Sequence, residues 1–209
     1  MFRFNMFLIL SILCGLAIVS TGCGGGDVAA PTSFSEYNAA NGDFAVEFPG
    51  GWDSNGHGKQ NHFFEAKQGG ASVTVKSSLA GSLMGDMADS GNSMMMGGDT
   101  TGMDEEFLED LSAEAQVHQM GQEAMADQFG DEYSEGDAEK ITPSLGEGRM
   151  SEFTGTVGFG QEVSGIRATV LARDKSVSVL CYCSTSNYEA LKPAFQQVID
   201  SLKLGEEEI

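Results

Sequence analysis

Four cysteines, three histidines and eleven methionines carry most of the distinctive side-chain chemistry in this 209-residue chain. Cys181 and Cys183 end a run, Ser176 to Cys183, that alternates Val177, Val179, Cys181 and Cys183 on one side. Residues two apart on a strand share a face, so the thiols point in parallel and are poorly placed to bridge each other. A metal pair would require further ligands. The pattern predicts two small, buried core residues, since free cysteine is often buried and an exposed pair is a liability in an oxidising compartment. His57 and His62 flank a polar loop with no second ligand pair at zinc spacing. His118 lies on a thin apolar stripe and reads as a surface residue. Hydrolysis by a triad needs a Ser or Cys paired with an oriented His, and no histidine sits in a recognisable elbow. Gly158-Phe159-Gly160 lacks the third glycine and the strand-to-helix setting of a nucleotide loop. Paired acids are plentiful but fall in a solvated stretch, where nothing raises a pKa for acid catalysis. The sequence therefore offers no catalytic residues, no metal ligand set and no cofactor, and does not read as an enzyme.

The methionines are concentrated. Met84, Met87, Met94, Met95, Met96 and Met103 lie among Gly, Ser and Asp, with His118 and Met120 further on. Thioethers are soft ligands suited to Cu(I), so a periplasmic soft-metal (copper) binding protein is one alternative. No repeated Met-x-Met or His-Met pattern sustains it. A flexible insertion in which Met makes weak hydrophobic contacts is the favoured reading.

Charge is concentrated in the same region. There are 31 acidic residues against 11 basic ones, a formal net charge of -20. That balance argues against nucleic acid, whose phosphates are bound by neutralising them, and against a polybasic attachment to anionic lipid. No Lys or Arg occurs from Ser77 to Glu139, while sixteen acids fall between Asp86 and Glu139. Like charge at this density favours a solvated, low-complexity insertion at about residues 81–146. Neither Asp99-Thr100-Thr101-Gly102 nor the stretch from Asp131 to Glu139 has the ligand spacing of a calcium loop.

The N-terminus reads as an address. Arg3 gives a positive start, Met6 to Val19 is apolar, and Ser20, Thr21 and Gly22 are small. This is the pattern of an export signal over residues 1–22, too short to span a bilayer as a stable anchor. Ser20-Thr21-Gly22-Cys23 resembles the lipobox of bacterial lipoproteins, with Ser20 where Leu is preferred. The resemblance implies that Cys23 is the lipid attachment site and that residues 23–33, with Gly24-Gly25-Gly26, are a tether. It implies a location in the cell envelope, lipid-anchored at the outer membrane or periplasmic face. Gly24 stands where Asp would signal inner-membrane retention in proteobacteria.

These features must be positioned by a fold, and its elements alternate clearly at both ends of the chain. Asp43 to Phe48 has strand period and stops at Pro49-Gly50-Gly51; Trp52 follows. His62 to Ala66 and Ala71 to Lys76 read as a hairpin across Gln68-Gly69-Gly70. Organisation is lost from about Ala80 to Leu145, apart from a helix that Asp104 to Phe129 can form, leaning weakly on its neighbours. Arg149 to Val157, Val163 to Ala172 and Ser176 to Cys183 read as antiparallel strands joined by Gly158-Phe159-Gly160 and Arg173-Asp174-Lys175. A closing helix follows, with Ser186 and Glu189 at capping-box spacing and Tyr188, Leu191, Phe195, Val198, Ile199 and Leu202 as its apolar stripe. Residues 205–209 form an acidic tail.

The run Gly42-Asp43-Phe44-Ala45-Val46-Glu47-Phe48-Pro49 with Trp52 resembles the opening of PsbP/DcrB-like domains. The closing strand and Tyr188, Leu191, Phe195 and Ile199-Asp200-Ser201-Leu202 are similar to the end of such domains. The resemblance covers about residues 34 to 80 and 147 to 204, within a domain spanning 34–204. It implies an α+β fold, an antiparallel sheet flanked by helices in an α/β/α sandwich. Members of that group serve as photosystem accessory subunits, envelope lipoproteins and trafficking adaptors, and share no active site. It implies a non-catalytic binding or assembly module for an envelope protein partner.

Overall fold

The strands at the end of the chain form the middle of the sheet. A computed structural model describes residues 28–56, 63–79, 112–172 and 175–206. In chain order the strands are β1 (Phe34–Asn38), β2 (Ala45–Pro49), β3 (Asp53–Gly56), β4 (Phe63–Gln68), β5 (Ala71–Leu79), β6 (Ser134–Glu135), β7 (Glu139–Ile141), β8 (Glu147–Val157), β9 (Gln161–Ala172) and β10 (Lys175–Ser184). The helices are α1 (Ala113–Met120) and α2 (Gln122–Phe129), between β5 and β6, and α3 (Tyr188–Asp200) after β10. Among the described residues the main sheet is eight-stranded, in the order β3-β4-β5-β10-β9-β8-β6, with β7 also on β8. Its pairs are antiparallel, and β1 and β2 form a separate ribbon.

Register determines what each face offers. Cys183, Cys181, Val179 and Val177 on β10 lie beside Ser164, Ile166, Ala168 and Val170 on β9. This face is almost wholly apolar. The stripe of α3 (Leu191, Phe195, Val198, Ile199) covers it, and Phe44, Val46 and Trp52 complete the main core. The alternate residues face the other way: Phe153 beside Gly165, Ser151 beside Arg167, Arg149 beside Thr169. Helices α1 and α2 pack on this second face, giving helix, sheet and helix in three layers. A small apolar cluster of Met125, Phe129, Phe153 and Val163 lies under α2. Gly165 admits the Phe153 ring there, because a Cβ would stand 2.3 Å from the Cys181 carbonyl oxygen and 2.7 Å from the ring.

The antiparallel sheet, the Gly69-Gly70 hairpin turn, the Gly158-Phe159-Gly160 connection of β8 to β9, the pairing of β9 with β10 and the apolar stripe of α3 agree with the sequence reading, while Arg173 and Asp174 lie outside the described residues. Cys181 and Cys183 are free and buried, as expected. Three local expectations are corrected. The C-terminal helix begins after Asn187, with no side-chain cap; Ser186 instead bonds Ser184 in a 3-10 turn, so the capping box does not form. The stretch before Leu145 is organised from Ser112 onward, with α1 and α2 meeting at Gly121. His118 is buried, 3% exposed, and not on the surface. The described segment begins at Val28, whose side chain lies in the main core. Among the described residues, no helix is long and apolar enough to cross a membrane.

Candidate functional site

The second face of the sheet carries polar side chains where a covered surface ordinarily carries apolar ones. Strand period aims Arg149 and Ser151 from β8, and Arg167 and Thr169 from β9, at the underside of α1. Helix period brings Glu114 and His118, one turn apart, down onto them. Glu135 enters from β6, which pairs with β8. Arg149, Ser151, Arg167, Thr169, Glu114 and His118 are all buried, and the Glu135 side chain is 3% exposed.

Glu135 is the hub. It accepts from Ser151 Oγ, from Tyr133 Oη at 2.5 Å, and from Arg167 Nε at 2.9 Å and Nη2 at 2.5 Å. Burial opposes its ionisation. Hydrogen bonds from His118, Ser151 and Tyr133, with the Arg167 charge, outweigh burial and hold the carboxyl at about 2. An ionised carboxylate only accepts, so Ser151 donates to it. Ser151 Oγ therefore accepts from His118 Nε2 at 2.9 Å. Nδ1, left without a proton, accepts from Thr169 Oγ1 at 3.1 Å. The imidazole is neutral and Nε2-protonated; burial lowers its pKa, and the Arg167 and Arg149 charges add to this against the pull of Glu135. Arg167 Nη1 also donates to the His118 carbonyl at 2.7 Å, fastening the end of α1. Gly121 makes room for that guanidinium, since a Cβ there would stand 2.9 Å from Nη1. At the other end of α1, Arg149 Nη2 donates to Ser112 Oγ at 3.3 Å and lies 3.8 Å from Glu114. Ser112 also caps α1 by accepting from the Ala115 amide.

Ser, His and acid thus meet, but in an order that opposes nucleophile activation. A triad needs the imidazole to take the hydroxyl proton and the acid to orient the imidazole. Here His118 donates to Ser151, and Glu135 holds the hydroxyl. The arrangement fixes α1 and β6 to the sheet. Above it is an open, polar cleft of about 400 Å³, with Gln119, Gln122 and Asp137 among the residues around His118, Arg149 and Arg167.

Of the residues singled out from sequence, Cys23, His57, His62 and Met84 through Met103 lie outside the described residues. His118 has both ring nitrogens engaged, and Met120, two positions on, is exposed. Among the described residues no group of three or more His, Cys, Asp or Glu could hold a metal ion. Burial pushes the Cys183 thiol up to about 11 and the Cys181 thiol higher still. The cluster itself escaped sequence reading. Its signal was present: Arg167 and Thr169 interrupt a long β-branched run, and Glu114 and His118 stand at helical i, i+4 spacing.

No family model matches the chain, and no curated protein matches it. Solved structures do. LpqN of Mycobacterium tuberculosis, described as involved in cell envelope biogenesis, is similar at a TM-score of 0.45 and 12% identity, over 83% of this chain and 92% of that one. PA94 of Pseudomonas aeruginosa, of unknown function, is similar at 0.41 and 12%, over 84% and 99%. Cyanobacterial PsbP (CyanoP) from Synechocystis sp. PCC 6803 is similar at a TM-score of 0.54 and 14% identity, over 88% of this chain and 97% of that chain. At that identity the likeness is one of architecture, and it matches the sandwich described above: the chain has a PsbP-like fold.

Proposed function

We propose that the protein is an envelope lipoprotein, anchored through Cys23, whose PsbP-like domain is a non-catalytic binding or assembly module for another envelope protein. The observation that carries the module reading is the use of the buried polar cluster. Every strongly engaged group in it is spent on holding α1 and β6, leaving neither a base nor a nucleophile poised for chemistry. The cleft above it is polar and open, unlike the mostly apolar concavities that take small molecules. Its Gln119, Gln122 and Asp137 rim suits hydrogen bonding to a protein surface. The anchor reading rests on Ser20-Thr21-Gly22-Cys23 after the apolar run.

Replacement of Cys23 by Ser releases the protein from membranes on fractionation; an unchanged distribution sinks the anchor. Crosslinking in the native cell recovers a partner, and Gln119→Arg with Gln122→Arg at the cleft rim reduces its yield several-fold. Equal yield from the wild-type and rim variants removes the cleft as the contact.

A further inference from the structure

The β8–β9 hairpin turns through Gly158-Phe159-Gly160, with Val157 paired to Gln161 across it. Gly158 and Gly160 have φ of 57° and 84°, in the left-handed region that favours glycine. No atom lies within 4 Å of where a Cβ would stand on either. They carry the chain around a tip on which Phe159 is completely exposed, at 112%. A single exposed apolar residue is ordinary on a protein surface. The position of this one is not.

Strand register fixes which end of the molecule the tip occupies. Ser184, the last residue of β10, pairs with Val163 close to the hairpin. Ser72 pairs with Tyr182, so the Gly69-Gly70 turn lies at the same end. Asp53 pairs with Lys67 beside that turn, and the Trp52 amide bonds the Pro49 carbonyl at 3.4 Å. Strand β2 therefore finishes at this end. It starts from the opposite one, where the Asp43 carboxylate is held by Ser77 Oγ at 2.5 Å and Lys175 Nζ at 2.7 Å. Pro49 pairs with Phe34. The chain thus enters β1 at the end from which Phe159 projects.

We infer that Phe159 is a second membrane contact, inserted at the headgroup–acyl boundary of the bilayer that holds the Cys23 lipid. The inference rests on the lipoprotein reading. Ser33 stands ten positions after Cys23, a span of about 35 Å at full extension. Val28, buried in the main core, takes up part of that span. A domain held this close meets the bilayer at high effective concentration, so one aromatic side chain adds usefully to an acyl anchor, as stable attachment commonly uses two signals. Glu162 is exposed beside the tip, which favours zwitterionic over anionic lipid. The sheet then stands on end, and the α1 cleft opens sideways.

The test is a depth measurement on the full acylated protein in vesicles of phosphatidylcholine and phosphatidylethanolamine. A fluorophore is attached through Phe159→Cys or, as a control at the opposite end, through Leu79→Cys, a position 56% exposed and paired with Lys175. Cys181 and Cys183 are buried and stay unlabelled. Quenchers on the upper acyl carbons are expected to quench the label at 159 several-fold more than the label at 79. Equal, weak quenching at both positions overturns the inference. A label at 159 that is aqueous on vesicles but shielded in native membranes also overturns it, in favour of a protein partner. Cys23→Ser is measured in parallel. If it stays on membranes, the anchor reading falls, and the depth of the label at 159 still decides this inference separately.

Discussion

Glu135 is the residue on which the second face of the sheet depends, because four donor atoms from three residues, Ser151, Tyr133 and Arg167, converge on one carboxylate. Removing its charge leaves Arg167, 5% exposed, without its counterion. Truncating one side of a buried pair costs more than the pair contributes, since the remaining charge stays desolvated. Glu135→Gln is expected to destabilise the fold by about 3 kcal/mol, which corresponds to a melting temperature lower by roughly 6–12 °C; thermal unfolding followed by circular dichroism measures it. A loss below about 1 kcal/mol would mean that the pair behaves like an exposed one. The cysteines allow an independent check at the same scale. Thiolate is the reactive form, and burial raises the pKa of both Cys181 and Cys183. In native protein at neutral pH, neither thiol should react with an aromatic disulfide reagent on a timescale of minutes, and both should react in denaturant. Rapid native labelling would place them outside the core.

At the scale of elements, α1 is held by polar bonds and α3 by apolar burial, so acid should act on them unequally. Glu135 drops from 4.5 unfolded to about 2 folded, so its stabilisation is complete above about 4.5 and fades as pH falls toward 2. His118 is lowered from 6.5, so the folded state also resists its protonation, and stability declines as pH falls below 6.5. Both effects run in the same direction. Hydrogen exchange at about pH 3, inside the window in which Glu135 loses its stabilisation, should show residues 113–129 losing protection relative to 188–200, once intrinsic rates are corrected; equal protection would deny this polar latch. Gly121→Ala tests the same attachment without changing a charge, because the added methyl meets Arg167 Nη1 at 2.9 Å. In an ordinary helix that change stabilises by up to about 1 kcal/mol; here it should be destabilising. Sequence reading recovered α3 and β8 to β10 because each buries one regular stripe, and Leu191, Phe195 and Val198 or Val177, Val179 and Cys181 spell that stripe in apolar letters. It missed the latch because a polar face buried by other elements has the same alternation as one facing water. Ser151 and Arg167 look solvated until Glu135 and His118, from distant parts of the chain, are laid over them. The Ser186–Glu189 spacing misled for a related reason: a local motif was read without the 3-10 turn that displaces the helix start.

For the molecule as a whole, the net charge of -20 and the buried cluster are two different kinds of electrostatics, and salt separates them. Sixteen of the 31 acids fall between Asp86 and Glu139 with no Lys or Arg among them. Compaction brings these charges together, so self-repulsion opposes folding. Exposed charges are screened within about 10 Å at 0.1 M salt, whereas a buried pair is screened far less. Two acids of this stretch, Glu114 and Glu135, have left the repulsive set: each is buried against an arginine. Raising sodium chloride from about 0.01 to 0.5 M, across the range where the Debye length shrinks several-fold, should therefore raise the melting temperature of the wild-type protein. The penalty of Glu135→Gln should be the same, within about 0.5 kcal/mol, at both salt concentrations, as expected for a site independent of the surface field. Thermal melts of the two proteins at the two salt concentrations supply the four numbers required. If the penalty shrinks with salt in proportion to the surface effect, Glu135 belongs to the solvated charge of the segment, and the second face of the sheet needs another explanation. If it is constant, the acidity of this protein divides as the fold divides it, into a screened surface and a fixed internal bond.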